Sequence, residues 1–200
     1  MDRHRNHSTA YHAWIAGIAA AHHGSVLDVG CGDGLLIERL APMSTSVVGI
    51  DIDGPTLARA RLRLQGQSNV TFAHEDFLCF VPSDEQFDTI AFVASLHHMD
   101  MKAALTKARS LLKAGGDLLV ADGTAQKRPP DWVANCQRPL PARLGGIRHR
   151  ETRESGVPTL APSMSLDEVR QAVGQVLPGA AIRRRPCHRY LLRWTRPGRG

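Results

Sequence analysis

Asp28, Gly30, Gly32, Gly34 and Asp51 are the residues whose types and spacing suggest chemistry. Four of them lie in VLDVGCGDG (26–34); Asp51 closes a second apolar run, VVGID. An aliphatic run, three glycines spaced G-x-G-x-G, and the helically patterned LLIERL form a strand, turn and helix. In that context glycines let the backbone approach a ligand, and a helix start adds free N–H groups. A dinucleotide loop reads G-x-G-x-x-G because it meets a pyrophosphate. Here the third glycine comes one residue early, and Asp28 and Asp33 bring negative charge to the turn. That charge repels phosphates and suits a cationic or amine-bearing ligand. Asp51 falls about twenty residues on, where an acid accepts hydrogen bonds from ribose hydroxyls. The ligand this describes is a nucleoside carrying a positive or amine-bearing group, and S-adenosylmethionine is such a molecule.

The elements that must position these residues alternate along the chain. Tyr11–Ala21 reads as a helix, 26–30 as the first strand and Asp33–Leu40 as a helix ended by Pro42. Val47–Asp51 is the second strand. Gly54-Pro55 opens a helix, with proline in its first turn, whose buried side is Leu57, Leu62 and Leu64. Val70–Ala73 and Phe87–Val93 are the third and fourth strands, the latter almost uninterruptedly apolar, as for a strand covered on both faces. Met101–Leu112 is a helix stopped by Gly115-Gly116, and Asp117–Ala121 the fifth strand. Residues 123–163 hold six prolines and suit a lid or substrate loop. Ser165–Val176 is a helix with a Ser165/Glu168 capping box, followed by strands Ala180–Arg185 and Arg189–Thr195 around a turn at Pro186–His188.

In this order and spacing, VLDVGCGDG, VVGIDID (47–53), VTFAHEDFL (70–78), FDTIAFVASLHHMD (87–100) and LLKAGGDLLVAD (111–122) resemble the class I S-adenosylmethionine-dependent methyltransferases. The resemblance covers roughly the first 120 residues, several ordered motifs carrying more weight than one glycine loop. It implies an α/β, Rossmann-like, seven-stranded and mostly parallel sheet with helices on both faces and the last strand antiparallel. It also implies a cofactor site. The Gly30–Gly34 turn, Cys31 included, lies against the methionine part, organised by Asp28. Asp51 binds the ribose, Ile52 packs on adenine, Asp76 accepts from the adenine amino group with Phe77 beside it, and Val93 closes the fourth strand. His97 and His98 follow that strand, where the transferred methyl lies. Imidazole titrates near neutral pH, so His98 is the candidate general base, with His97 its alternative. Tyr11 and His12 cover the site from the N-terminal helix.

The resemblance fixes the cofactor better than the acceptor. The N/D-P-P-Y/F motif of base N-methylating enzymes is absent after the fourth strand, where Ala94-Ser95-Leu96-His97 stands. Pro186-Cys187 lies in the wrong region for a cytosine C5 nucleophile. Asp100 and Asp122 lack the Asp-Asn pair of metal-dependent catechol enzymes. The expected partner is therefore a small molecule methylated at oxygen or nitrogen. The alternatives are an RNA methyltransferase or a non-catalytic S-adenosylmethionine-binding module. RNA would use the basic C-terminal tail, which from Arg183 onward has seven arginines and no acid in a chain of net charge +6. Aromatic interleaving in that tail is sparse, which favours solvated arginines protecting a sheet edge.

Two hundred residues suit a single domain. Its expected divisions are an N-terminal helical cap (1–25), a cofactor-binding core (26–122), a proline-rich lid (123–163) and a final helix with strand hairpin (164–200). The N-terminus lacks the apolar segment of a signal peptide, and no run is long enough to span a membrane. Cys31, Cys79, Cys136 and Cys187 are scattered, without C-x-x-C spacing. They read as reduced cytoplasmic thiols, and no metal site is expected.

Overall fold

A computed structural model describes residues 11–82, 86–125 and 161–198. Its centre is a seven-stranded sheet in the order β3-β2-β1-β4-β5-β7-β6. The strands are β1 (Ser25–Val29), β2 (Ser46–Asp51), β3 (Val70–His74), β4 (Phe87–Val93), β5 (Leu112–Gly123), β6 (Ala181–Arg185) and β7 (Arg189–Thr195). β1, β2, β3, β4 and β5 pair in parallel. β7 runs antiparallel to both its neighbours, β5 and β6, so it alone opposes the rest.

Alternation along each strand sorts the side chains into two cores. On one face, α4 (Met101–Leu111) and α5 (Leu166–Val176) pack on Leu27, Val29, Ile90, Phe92, Leu118 and Val120. On the other, α1 (His12–His22), α2 (Ile37–Leu40) and α3 (Gly54–Arg63) cover Val26, Val47, Ala91 and Leu119. Ile15 of α1 is fully buried there, a contribution of about 1.5–3 kcal/mol. α1 is also tied down at its far end. His22 Nε2 lies 2.9 Å from Asp117 Oδ2, and Arg193 grips the same carboxylate with two bonds of 3.0 Å. Burial alone would raise the Asp117 pKa; bonds from Arg193, Thr195 and His22 outweigh that and hold it low.

Three elements depart from the sequence expectation. The helix expected over 33–40 is helical only at Ile37–Leu40, followed by a 3-10 turn at Ala41–Met43, because the glycine turn extends further than expected. In α3 the buried residues are Thr56, Leu57 and Ala60, with Leu64 just beyond, while Leu62 is 73% exposed. Counting from Leu57, positions three and seven on share a helix face and position five does not. β5 begins at Leu112 and runs through Gly115-Gly116, its pairing with β4 shifting register between Phe87 and Thr89. The capping box is present: Ser165 Oγ accepts from Glu168 N–H, and the Glu168 carboxylate accepts from Ser165 N–H at 2.8 Å. Residues 1–10 of the expected cap and 126–160 of the expected lid lie outside the described residues, as does Cys136.

Candidate active site

The strand order reverses between β1 and β4, and an open α/β sheet binds its ligands beyond the carboxyl ends of such strands. Two segments leave the sheet there: the glycine turn from β1 and the histidine segment from β4. Ser95 joins them, its Oγ donating to Val29 O at 2.6 Å. Gly30, at φ +70°, stands so close that an added Cβ would lie 2.4 Å from Ser95 Cβ. Gly32, at φ +56°, faces the opposite situation: a Cβ there would meet nothing within 4 Å. The first glycine lets two strand ends meet, and the second leaves open backbone.

Asp51 braces this turn. Its Oδ2 accepts from Gly32 N–H at 2.8 Å and its Oδ1 from Asp53 N–H at 2.9 Å. Each carboxylate oxygen has two lone pairs, so both oxygens keep capacity for a diol. Ile52 beside it is 65% exposed, an apolar surface available to an aromatic base. Asp28 is 2% exposed, and its Oδ2 has no hydrogen-bond partner among the described residues. Burial, then the neighbouring Asp51 charge, raises its carboxyl from 3.8 to about 7. A buried acceptor without a donor is costly; an incoming ammonium would supply one.

The remaining expected residues sort by position. Asp33 turns away from the open side: Arg63 of α3 binds its carbonyl at 3.0 Å and its carboxylate at 3.1 Å. Cys31 is buried, and burial, then Asp28 and Asp51, raises its thiol pKa, leaving an inert neutral group. Asp76 is exposed, and its Oδ1 accepts from Leu78 N–H at 2.7 Å, leaving the second oxygen for other donors. Phe77 points into the core, edge-on to Phe92 with ring centroids 5.4 Å apart, so its ring serves packing. Val93, half-buried, ends β4. Tyr11 is half-buried at the start of α1. His12 is 5% exposed, and its Nδ1 lacks a partner among the described residues. Burial, then Arg39, lowers its pKa to about 4 despite the opposing pull of Asp33, so the ring is neutral.

Past β4 the backbone turns at Ala94, φ 53°, and forms a 3-10 turn at Leu96–His98. The two imidazoles lie with centroids 4.0 Å apart and planes at 40°. Their surroundings differ. His97 Nδ1 lies 2.6 Å from Oδ1 of Asp122, a buried acid near the end of β5. His98 is exposed, and desolvation, then His97, lowers its pKa, against Asp122 and Asp51. Sequence reasoning missed Asp122 as a partner of the histidines. The available signal was an acid directly following the apolar run LLVA, at the carboxyl end of a strand.

This geometry fits a ligand with an ammonium and a ribose diol, and comparisons with known proteins agree. A family model of the methyltransferase domain matches residues 26–116. An uncharacterised methyltransferase of Mycobacterium tuberculosis is 33% identical over 204 residues, covering 98% of this chain and 100% of its own. A ubiquinone biosynthesis O-methyltransferase of Pseudomonas paraeruginosa is 35% identical over 124 residues, 60% of this chain and 52% of its own. Among solved structures, an amino pentose methyltransferase from Micromonospora echinaspora with S-adenosylmethionine bound superposes with TM-score 0.68. It is 22% identical, and the match covers 97% of this chain and 93% of its own. An N-methyltransferase from Bradyrhizobium japonicum, in complex with S-adenosylhomocysteine, gives TM-score 0.67 at 18% identity, covering 97% and 90%. The chain belongs to the class I S-adenosylmethionine-dependent methyltransferases. It is an enzyme, and its cofactor is S-adenosylmethionine. No helix among the described residues is long and apolar enough to cross a membrane.

Proposed function

We propose that this enzyme methylates an oxygen or nitrogen of a small molecule in the cytoplasm. The observation that carries the reading is the imidazole pair at the carboxyl end of β4, one strand from the glycine turn. It supports an acceptor whose reacting atom can surrender a proton. The activities of a relative, an O-methyltransferase, and of a structural neighbour, an amino pentose methyltransferase, support the same range of acceptors. For the compartment, the support is three free thiols, Cys31, Cys79 and Cys187.

The bound cofactor supplies an electrophilic methyl group on a sulfonium. Asp28 offers its unpartnered oxygen to the ammonium of the methionine part, and the open backbone at Gly32 lies against that part. Gly30, Cys31 and Gly34 shape the turn behind it. Asp51 accepts from the ribose hydroxyls, while Ile52, Asp76 and the Phe77 segment border the base. Val93 and the histidines border the methyl group. Tyr11 and His12 close the methionine end. Much of the rate then comes from alignment and exclusion of water.

The test is incubation of the purified protein and S-adenosylmethionine with a panel of phenols, hydroxy acids, amino sugars and amines. Mass spectrometry should find a mass gain of one CH2 on a member of the panel. Methyl incorporation into RNA, with salt-sensitive retention on it, would replace the small-molecule reading with the nucleic-acid one. Cofactor binding without turnover on either would favour a binding module.

A further inference from the structure

Asp122 is an acid with almost no solvent contact: it is 1% exposed. A buried carboxylate must be matched by donors, and those found here come chiefly from one residue. His97 N–H donates to Oδ2 at 2.9 Å, and His97 Nδ1 lies 2.6 Å from Oδ1. Gly123 N–H adds a bond of 2.7 Å to Oδ1. Backbone N–H groups are directed at both oxygens, so both act as acceptors. An ionised carboxylate only accepts, so Nδ1 must be the donor. In a neutral imidazole the proton is then on Nδ1, and Nε2 is left as an acceptor. Backbone and ring are fixed by the same carboxylate, so neither the position nor the tautomer of His97 is free to drift.

We infer that Asp122 and His97 form the proton-accepting pair of this methyltransferase, and that its acceptor is a hydroxyl group of the phenol class. The inference rests on the proposed reading of the site and narrows it. A neutral amine already holds a free lone pair and needs no base before it attacks. A phenol ionises near pH 10 in free solution, within reach of an imidazole aided during the step itself. The phenol oxygen forms the new bond to the methyl carbon with its own electron pair. Its proton passes to His97 Nε2. The electron pair of the broken carbon–sulfur bond stays on sulfur, which leaves as a neutral thioether. The Asp122 carboxylate stabilises the imidazolium until water removes the proton. Asp122 is thus a positioning residue, and His97 is the catalytic one. His98, which the sequence favours, lies against His97 and bonds no carboxylate among the described residues. Among the described residues, Asp51 from β2 acts on His98, and Tyr190 from β7 lies near Asp122. The Tyr190 hydroxyl is buried and lacks a hydrogen-bond partner among the described residues, and burial, then Asp122, raises its pKa.

The test uses the full chain. Long-range proton–nitrogen NMR of the imidazoles reads the His97 tautomer without any substrate. The wild type should show protonated Nδ1 and bare Nε2. In Asp122→Asn the amide must turn its NH2 toward His97 Nδ1 or toward the His97 N–H, so the tautomer should reverse or become mixed. His97→Gln leaves the Asp122 carboxylate in place and guards against an Asp122 variant that does not fold. It should lower kcat on a phenol acceptor by roughly 10²–10⁴, flatten the acid limb of the pH–rate profile, and leave calorimetric cofactor affinity unchanged. His98→Gln should leave the His97 tautomer unchanged in the same spectrum. A wild-type spectrum with protonated Nε2, or a folded His97→Gln variant turning over near the wild-type rate, overturns the pair. Absence of cofactor binding in the wild type would instead overturn the underlying reading of the site.

Discussion

Asp28→Asn isolates the charge at the centre of the proposed cofactor cradle. Asp28 is fully enclosed, and its carboxyl is raised from 3.8 to about 7. The folded chain therefore holds this proton more tightly than the unfolded chain does. The resulting stability is complete below the unfolded value and is lost as pH rises through about 7. The whole displacement corresponds to roughly 4 kcal/mol; between about pH 5 and about pH 8 the group accounts for roughly 3 kcal/mol of declining stability. Asparagine cannot ionise, so urea denaturation of the cofactor-free variant should lose that much less stability over the interval. Comparing the two pH values within each protein cancels any fixed cost of the amide. The same carboxylate should meet the cofactor's ammonium, so cofactor binding near pH 6 must drive a proton off Asp28. Calorimetry in buffers of different ionisation enthalpy should register that release in the wild type and not in the variant. Affinity should fall by about 1.5–3 kcal/mol, the range for hydrogen bonds to charged groups. Identical pH dependence of stability, or unchanged affinity at about pH 8, where the wild-type carboxyl is ionised, would refute the assignment of Asp28 as the ammonium's partner.

Asp51→Ala should weaken cofactor binding by about 1–3 kcal/mol, since it removes the diol acceptor and also frees the Gly32 and Asp53 N–H groups it holds; an unchanged dissociation constant in a folded variant would remove Asp51 from the site. Gly30→Ala should destabilise the fold by at least about 1–2 kcal/mol from its left-handed backbone alone, with the 2.4 Å approach to Ser95 adding to it; a melting temperature equal to the wild type would show that β1 and β4 can part without penalty. Ser165→Ala should cost about 1 kcal/mol in chemical denaturation through loss of the α5 cap, with no effect on cofactor affinity.

The strands and the glycine turn are legible because their signals are local. A β-branched run ending in glycines, or a capping box three residues wide, is complete within one window of sequence. Leu62 was misread because leucine content was followed rather than helical spacing from Leu57. The extent of β5 was misread because Gly115-Gly116 resembles a helix stop, whereas pairing with β4 carries the strand through it. Phe77 was expected beside adenine, but Phe92, fifteen residues away, claims its ring. The pairing of Asp122 with His97 was not legible, since a parallel crossover separates them and no spacing rule links the ends of β4 and β5. For the same reason sequence favoured His98: a carboxylate behind one of two adjacent histidines becomes visible only when the sheet is assembled.

The place of β7 bears on the order in which the protein is made. β7 lies between β5 and β6, although β6 is synthesised first. Until Arg189–Thr195 leave the ribosome, β5 has an unpaired edge and β6 has no neighbour to join. The exposed edge carries Leu118, Leu119, Val120 and Ala121, all destined for full burial, and open apolar edges recruit other chains. The Arg193 bonds to Asp117, the acid that holds α1 through His22, are missing over the same interval. A nascent chain stalled before β7 would therefore hold its glycine-turn residues already synthesised beside a sheet still open to aggregation, and that vulnerability would end when β7 emerges.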